Sequence, residues 1–265
     1  MLIHALIFFT DRSPAHKRGN IQKKIKKKLP SHELESVLRD HRRWLESEGI
    51  LGRRVDLEHF DLSGRDLFGA VLTKAVLRDV DLSHANLRTS DLRQANLRGC
   101  RLSQAHMQWS ILTGAVIEES DLTRANLQFV EFSDSRLADV DLAGAFFHNA
   151  YFWNAILRRA NLSGANLRFS TWNSADLFQV KFMASTIQLA DFGHARLREA
   201  DFRNAQVFNS DFTGADLSGA DFTGARLEKV NFMDSQFDPE CFDAAYCSGC
   251  SFDHRSSRAQ TPSVR

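Results

Sequence analysis

Cysteine, proline and tyrosine are scarce in this chain: four, four and two in 265 residues. Four cysteines are too few for a disulfide scaffold and fit a reducing compartment. Few prolines, and 21 Phe against 2 Tyr, are unusual for a globular enzyme. Long hydrophobic runs are missing too. The longest, Ala5 to Phe9, is far below the ~20 residues of a membrane span. Residues 1–9 lack the basic n-region and small-residue cleavage site of a signal peptide, so none is expected. No charge of one sign dominates: 34 Lys+Arg against 33 Asp+Glu leave a formal +1. That balance excludes a disordered polyelectrolyte and, by overall charge, a basic nucleic-acid binder.

The balance hides an asymmetry. Residues 1–53 carry a net +6, residues 54–254 a net −8, and residues 255–265 a net +3. The chain reads as a basic, disordered arm over 1–30, an amphipathic helix over 31–50, an acidic body over 51–254 and a disordered tail over 255–265.

The body is a repeat. From Leu57 to Phe252, forty consecutive positions spaced by five are apolar, twenty-two of them Leu and twelve Phe. Two residues before each lies a second column, from Val55 to Cys250, of Ala, Ser, Val and Cys. Its exceptions are Phe60, Arg65 and Glu240. Ala85-Asn86-Leu87-Arg88-Thr89 shows the unit.

A period of five excludes an α-helix, on which successive Leu would precess by ~140° and form no stripe. It excludes a flat strand, on which an odd period alternates faces. The pattern works if the chain turns between units. Each unit is then one side of a square with both columns inward, and four units close a coil of twenty residues. Forty units make ten coils, a rod ~48 Å long at ~4.8 Å per coil. Ten of the eleven glycines between 55 and 252 fall two places after the central residue, where a corner needs positive φ.

These residues resemble the pentapeptide-repeat family, whose unit is A(D/N)LXX. The resemblance covers residues 55–252. It implies an all-β fold: a right-handed quadrilateral β-helix, here of about ten coils with an N-terminal α-helix as cap. The handedness comes from the family alone. In the helix, Leu34, Val37, Leu38, Trp44 and Leu45 fall at helical spacing. Ser31 is the expected N-cap after Pro30, and Gly49 the expected C′ residue.

Motifs for catalysis are missing. No P-loop, strand-borne GxGxxG, HExxH or GxSxG occurs. An enzyme, a cofactor, a metal and a small-molecule substrate are therefore not expected. Cys247 and Cys250 form a CxxC, but both stand in inward columns and are expected as terminal-coil core. The arm carries Lys23, Lys24, Lys26, Lys27 and Lys28, a weak signal for an anionic lipid or nucleic-acid surface.

Residues twenty apart stack, so each face reads as a column. Three faces net −3, −4 and −4; the face centred on Leu67, Leu87 and Met107 nets +3. That face is also aromatic at positions that should point outward. Phe68, Trp109, Phe129, Phe146, Phe169, Leu189 and Phe208 lie on it, Tyr151 and Trp153 just past its corner, and Arg88 and Arg168 at its border. A stacked apolar column with arginine at its edge is the composition of a protein interface.

The leading expectation is a non-catalytic protein–protein interaction or scaffold module, bacterial and cytoplasmic, that binds a partner along this face. The alternative, implied by the resemblance, is a DNA-mimicking binder and inhibitor of DNA gyrase of the quinolone-protection type. Magnitude weighs against it. Some 48 Å of B-DNA carries ~28 negative charges, whereas this body nets −8. A C-terminal homodimer through Phe237, Phe242, Tyr246 and Phe252 is expected, because no apolar periodicity follows to cover the last coil.

Overall fold

The computed structural model describes residues 27–253. Strand β1 (Lys27–Lys28) leads into helix α1 (Ser31–Glu46), and then the chain enters a parallel coil that climbs to the C-terminal end. Every isolated bridge pairs residues twenty apart, from Asp56 with Val76 to Asn231 with Ser251. Three backbone bonds per side join neighbouring turns, as where Leu62 donates to Asp81 at 2.7 Å, Gly64 to Ser83 at 2.8 Å and Asp81 to Phe60 at 2.9 Å. A fourth closes the corner, Arg65 donating back to Leu62 at 3.1 Å. This ladder satisfies the backbone of a chain that has no long strand.

The two sequence columns are the core. Central residues from Leu57 to Phe232 and small residues from Ala70 to Val230 are buried, most of them completely. Along one wall Phe132, Phe152, Trp172, Phe192, Phe212, Phe232 and Phe252 stack ring on ring. A second column, Phe182, Phe202, Phe222 and Phe242, runs beside it. The Leu67 face ends in a four-stranded parallel sheet of β3 (Thr186–Gln188), β4 (Gln206–Phe208), β5 (Arg226–Glu228) and β6 (Tyr246–Ser248).

Positive φ recurs at the corners. Glycines adopt it, but so do His59, Asp79, Asn154 and many other non-glycine residues. Outside glycine this conformation costs roughly 1–2 kcal/mol per residue. The corner bond and the ladder on either side hold it in place.

The N-terminal segment departs from expectation. Lys27 and Lys28 do not belong to a disordered arm: they pair in parallel with β2 (Phe60–Asp61), and Leu29 is buried. Arg65 explains this, since its guanidinium donates to the Leu29 carbonyl and, at 2.6 Å, to Ser31 Oγ. Two irregular positions of the small column, Phe60 and Arg65, are thus the places where this segment lies on the rod. Ser31 is not the N-cap; Pro30 holds that position, with no side-chain cap bond. Gly49 is not C′ either. Glu48 takes the left-handed position at φ 55°, and the Gly49 N–H returns to the Trp44 carbonyl at 2.8 Å.

Helix α1 lies on the first coil through Leu34 and His41, both buried. His41 Nδ1 accepts the Val55 N–H at 3.1 Å. Burial holds its imidazole below the usual histidine range, against a smaller opposing pull from the Thr73 backbone. The unfolded chain therefore takes up a proton near pH 6.5 that the folded chain resists. Stability from this contact is full above that pH and declines as the pH falls below it. We expect the amides of α1 to lose hydrogen-exchange protection between pH 7.5 and 5.5. His41→Asn, which keeps an acceptor for Val55, should remove the pH-dependent part; an unchanged pH profile in that variant would assign the effect elsewhere.

The C-terminal end also breaks the pattern. Pro239–Phe242 form a short 3-10 helix, and Gly224 bonds to Ala244, one residue beyond the regular register. Pro239 has no N–H to give to the ladder. Glu240, the third irregular residue of the small column, lies in that turn. Cys247 and Cys250, expected as terminal-coil core, are joined in a disulfide and only partly buried.

Candidate protein-binding face

The corner after each central residue of the Leu67 face carries the apolar column. Trp109, Phe129, Phe169 and Leu189 occupy it at φ of 63°, 58°, 58° and 53°. A bulky side chain in this region is a backbone outlier. Positive φ and the outward direction are linked: the turn throws the side chain off the rod, and Trp109 is 58% exposed.

The rings form one assembly. Trp109 stacks on Phe129 with centroids 4.0 Å apart and planes within 1°. The next corner is Asn149, which would break the column, but His148 fills the gap. It meets Phe129 edge-on at 5.8 Å and Phe169 at 5.0 Å. Arg168 lies over the Phe169 ring at 6.0 Å, and Arg88 over Phe68 at 5.6 Å. Phe146, Tyr151, Trp153 and Ile156 are exposed in the coil that also holds His148, so the apolar surface widens around the corner there. Leu189 is exposed, whereas Phe208 is half-buried beneath Arg226. Sequence columns alone did not single out His148 or Ile156. His148 joins the ladder diagonally, between columns, and the signal would have been the aromatic neighbours at Phe129 and Phe169.

The residues assigned to an end-to-end contact split. Phe242 is buried, within 5.5 Å of Phe252 and 5.2 Å of Phe237 by ring centroids. Tyr246 is exposed on the side of the rod, over Arg226. Lys23, Lys24 and Lys26 lie outside the described residues. Lys27 sits over Phe60 at 5.3 Å, and Lys28 pairs with Asp61 at 3.9 Å.

Elsewhere many of the surface arginines pair with acids. Arg98 with Glu119, Arg136 with Glu118, Arg158 with Asp176 and Arg159 with Asp139 lie within 2.6–2.7 Å. The Arg203 hydrogen bond holds the Asp201 carboxyl below the usual carboxylate range. A cleft of about 470 Å³ is lined by Glu58, His59, Arg78, Asp79, Arg98, Gly99 and Glu119, where Arg78 pairs with Glu58. Burial pushes the Cys241 thiol up to about 12, so it stays protonated at neutral pH. Among the described residues no cluster of three or more His, Cys, Asp or Glu could hold a metal, and no helix is long and apolar enough to cross a membrane.

Two family profiles match the body. "Pentapeptide repeats (8 copies)" covers residues 53–94, 90–128 and 135–168, and "Pentapeptide repeat region" covers 155–232. The chain belongs to the pentapeptide-repeat family. Its fold is accordingly the pentapeptide-repeat β-helix. No curated protein matches this family member significantly. Among solved structures it is similar to HetL, a pentapeptide repeat protein involved in heterocyst differentiation regulation from the cyanobacterium Nostoc. That likeness has 25% identity over 79% of this chain and 92% of the other, with a TM-score of 0.48. It is also similar to a trypsin-treated form of QnrB1, a plasmid-mediated fluoroquinolone resistance protein, at 17% identity over 77% and 94% with a TM-score of 0.47. A pentapeptide repeat protein of the Arabidopsis thaliana thylakoid lumen matches at 31% identity over 41% and 68%, with a TM-score of 0.31.

Proposed function

We propose that this pentapeptide-repeat protein is a non-catalytic interaction module of the cytoplasm, and that a protein partner docks on the aromatic corner of the Leu67 face. In this reading about ten right-handed coils form the scaffold and α1 caps its N-terminal end. The observation that carries the reading is the set of bulky residues at corner positions. Trp109, Phe129, Phe169 and Leu189 hold left-handed backbone that glycine would adopt without strain. Non-glycine residues hold the same conformation at corners on every face; what sets these four apart is that the side chains they display are large and apolar, the composition of a protein-binding surface.

Glycine variants test this. Trp109→Gly and Phe129→Gly should leave the melting temperature unchanged or slightly raised, because lost ring contact is offset by relief of the backbone. They should also abolish capture of the partner from source-cell lysate. Melting losses of ten degrees would make the rings structural, and intact capture would move the site elsewhere.

A DNA-mimicking gyrase inhibitor is the competing reading. It requires a dense negative surface, and the pairing of Glu118, Glu119, Asp139, Asp176 and Asp201 with arginine weakens that field. Inhibition of supercoiling by purified protein at stoichiometric gyrase would restore it. We further propose that two C-terminal ends pair, with Phe237 and Phe252, both only partly buried, at the contact. Light scattering at micromolar concentration should give a dimer mass that Phe252→Asp halves; a wild-type monomer mass would dismiss the pairing.

A further inference from the structure

We infer that the occupant of the aromatic corner is an acidic peptide segment of the partner, apolar at its centre and carrying carboxylates about 19 Å apart. This rests on the corner being the docking site and adds the chemistry of what docks.

Charge is the first ground. On the Leu67 face no carboxylate occurs between Asp66 and Glu228. The column beside the ring corner runs Arg88, Gln108, Gln128, His148, Arg168 and Gln188. It offers hydrogen-bond donors on every coil and no negative charge.

The second ground is that the two arginines have no acid. Arg78, Arg93, Arg98, Arg101, Arg136, Arg158, Arg159 and Arg203 each lie within 4.0 Å of a carboxylate. Among the described residues no carboxylate comes that close to Arg88 or Arg168. Arg88 donates from Nε to the Asn86 amide oxygen at 3.0 Å and lies over Phe68, and Arg168 lies over Phe169. A guanidinium stacked on a ring still presents N–H groups in the fork that matches a carboxylate. On a body of net −8, two unpaired cations at the edge of an apolar strip are the natural seats for incoming anions.

Spacing is the third. Arg88 and Arg168 are eighty residues apart, four turns of a twenty-residue coil. At ~4.8 Å per turn that is about 19 Å, the reach of about six extended residues. Trp109, Phe129 and His148 fill the interval, so the matching ligand is apolar in the middle and negative at both ends. A continuous phosphate chain fits less well. The two adjoining faces each net −4 and repel a polyanion along its whole length, whereas two separated carboxylates can be seated at the arginines alone.

The test uses the full chain and fluorescein-labelled probes. One peptide has a leucine-rich centre flanked by glutamates; a second has the same centre flanked by lysines; a third probe is oligo(dT). Anisotropy should show the glutamate peptide binding, at least about tenfold more weakly to the Arg88→Glu/Arg168→Glu variant and more weakly as salt rises. The lysine peptide should prefer that variant over wild type. Trp109→Gly should weaken both peptides. Equal binding of the two peptides to wild type, no binding of the glutamate peptide, or a preference for oligo(dT) overturns the inference. If the natural partner is nevertheless captured through the corner and lost with Trp109→Gly, the docking reading survives and only the acidic ligand fails.

Discussion

Replacing Leu122 by Asp should unfold the middle of the rod. Leu122 is completely buried, and its N–H bonds to the Asp141 carbonyl in the next turn at 2.7 Å. An inward aspartate would face only apolar columns. It must either hold an unpaired charge there or take up a proton, and either costs several kcal/mol. Total stabilities are of order 5–15 kcal/mol. In a solenoid each turn supports only its neighbours, so one failed turn separates the rod into two weaker pieces. The melting temperature should fall by about 10 °C or more, at ~2–4 °C per kcal/mol. Thr123→Asp, one residue along and outside, should shift it by a few degrees at most. Its backbone N–H keeps the Asp121 Oδ1 acceptor at 3.0 Å. Similar losses in both variants would mean that the inward columns are misassigned.

Trp172→Ala should cost about 3–5 kcal/mol, the range for deleting a large buried aromatic. Trp172 is completely buried and lies flat on Phe152 at 3.9 Å. It also meets Phe192 at 5.7 Å, Phe147 at 6.0 Å and Phe182 at 6.3 Å. Its indole N–H donates to Ser170 Oγ at 2.6 Å. Backbone bonds above and below fix the turns, so the void cannot collapse along the axis. Trp172→Phe keeps the stack and leaves Ser170 its own bond to the Leu167 carbonyl, so it should cost less than half as much. Urea unfolding measures both. A loss under 1 kcal/mol for the alanine variant would place the indole outside the core.

The middle of the rod was legible because the repeat leaves each residue one role. A residue's place in the five-residue unit sets whether it faces the core, the solvent or a corner, so the burial of Leu122 and the exposure of Trp109 follow from position alone. Corner conformation was also legible from the glycines, although Phe129 and Leu189 show that glycine is not required there. The ends were less legible, since non-repeating contacts decide them. Leu29 has no period to mark it as core; Arg65 reaches across more than thirty residues to place it. His41 sits one turn from Trp44 in a helix whose apolar pattern does not include it, yet it is completely buried. At the other end Pro239 forces the ladder to slip. In the candidate site, the columns gave the aromatic corner, but not the diagonal contact through which His148 joins Phe129 to Phe169.

Site-specific photo-cross-linking in the source cell distinguishes an occupied aromatic corner from a bare one. A benzophenone side chain at position 129, in the aromatic corner, is compared with one at Phe178 on the opposite face. A discrete covalent adduct should form from position 129 and disappear with Trp109→Gly, and none should form from position 178. An adduct from position 178 alone, or from 129 but unaffected by Trp109→Gly, would contradict docking at the corner.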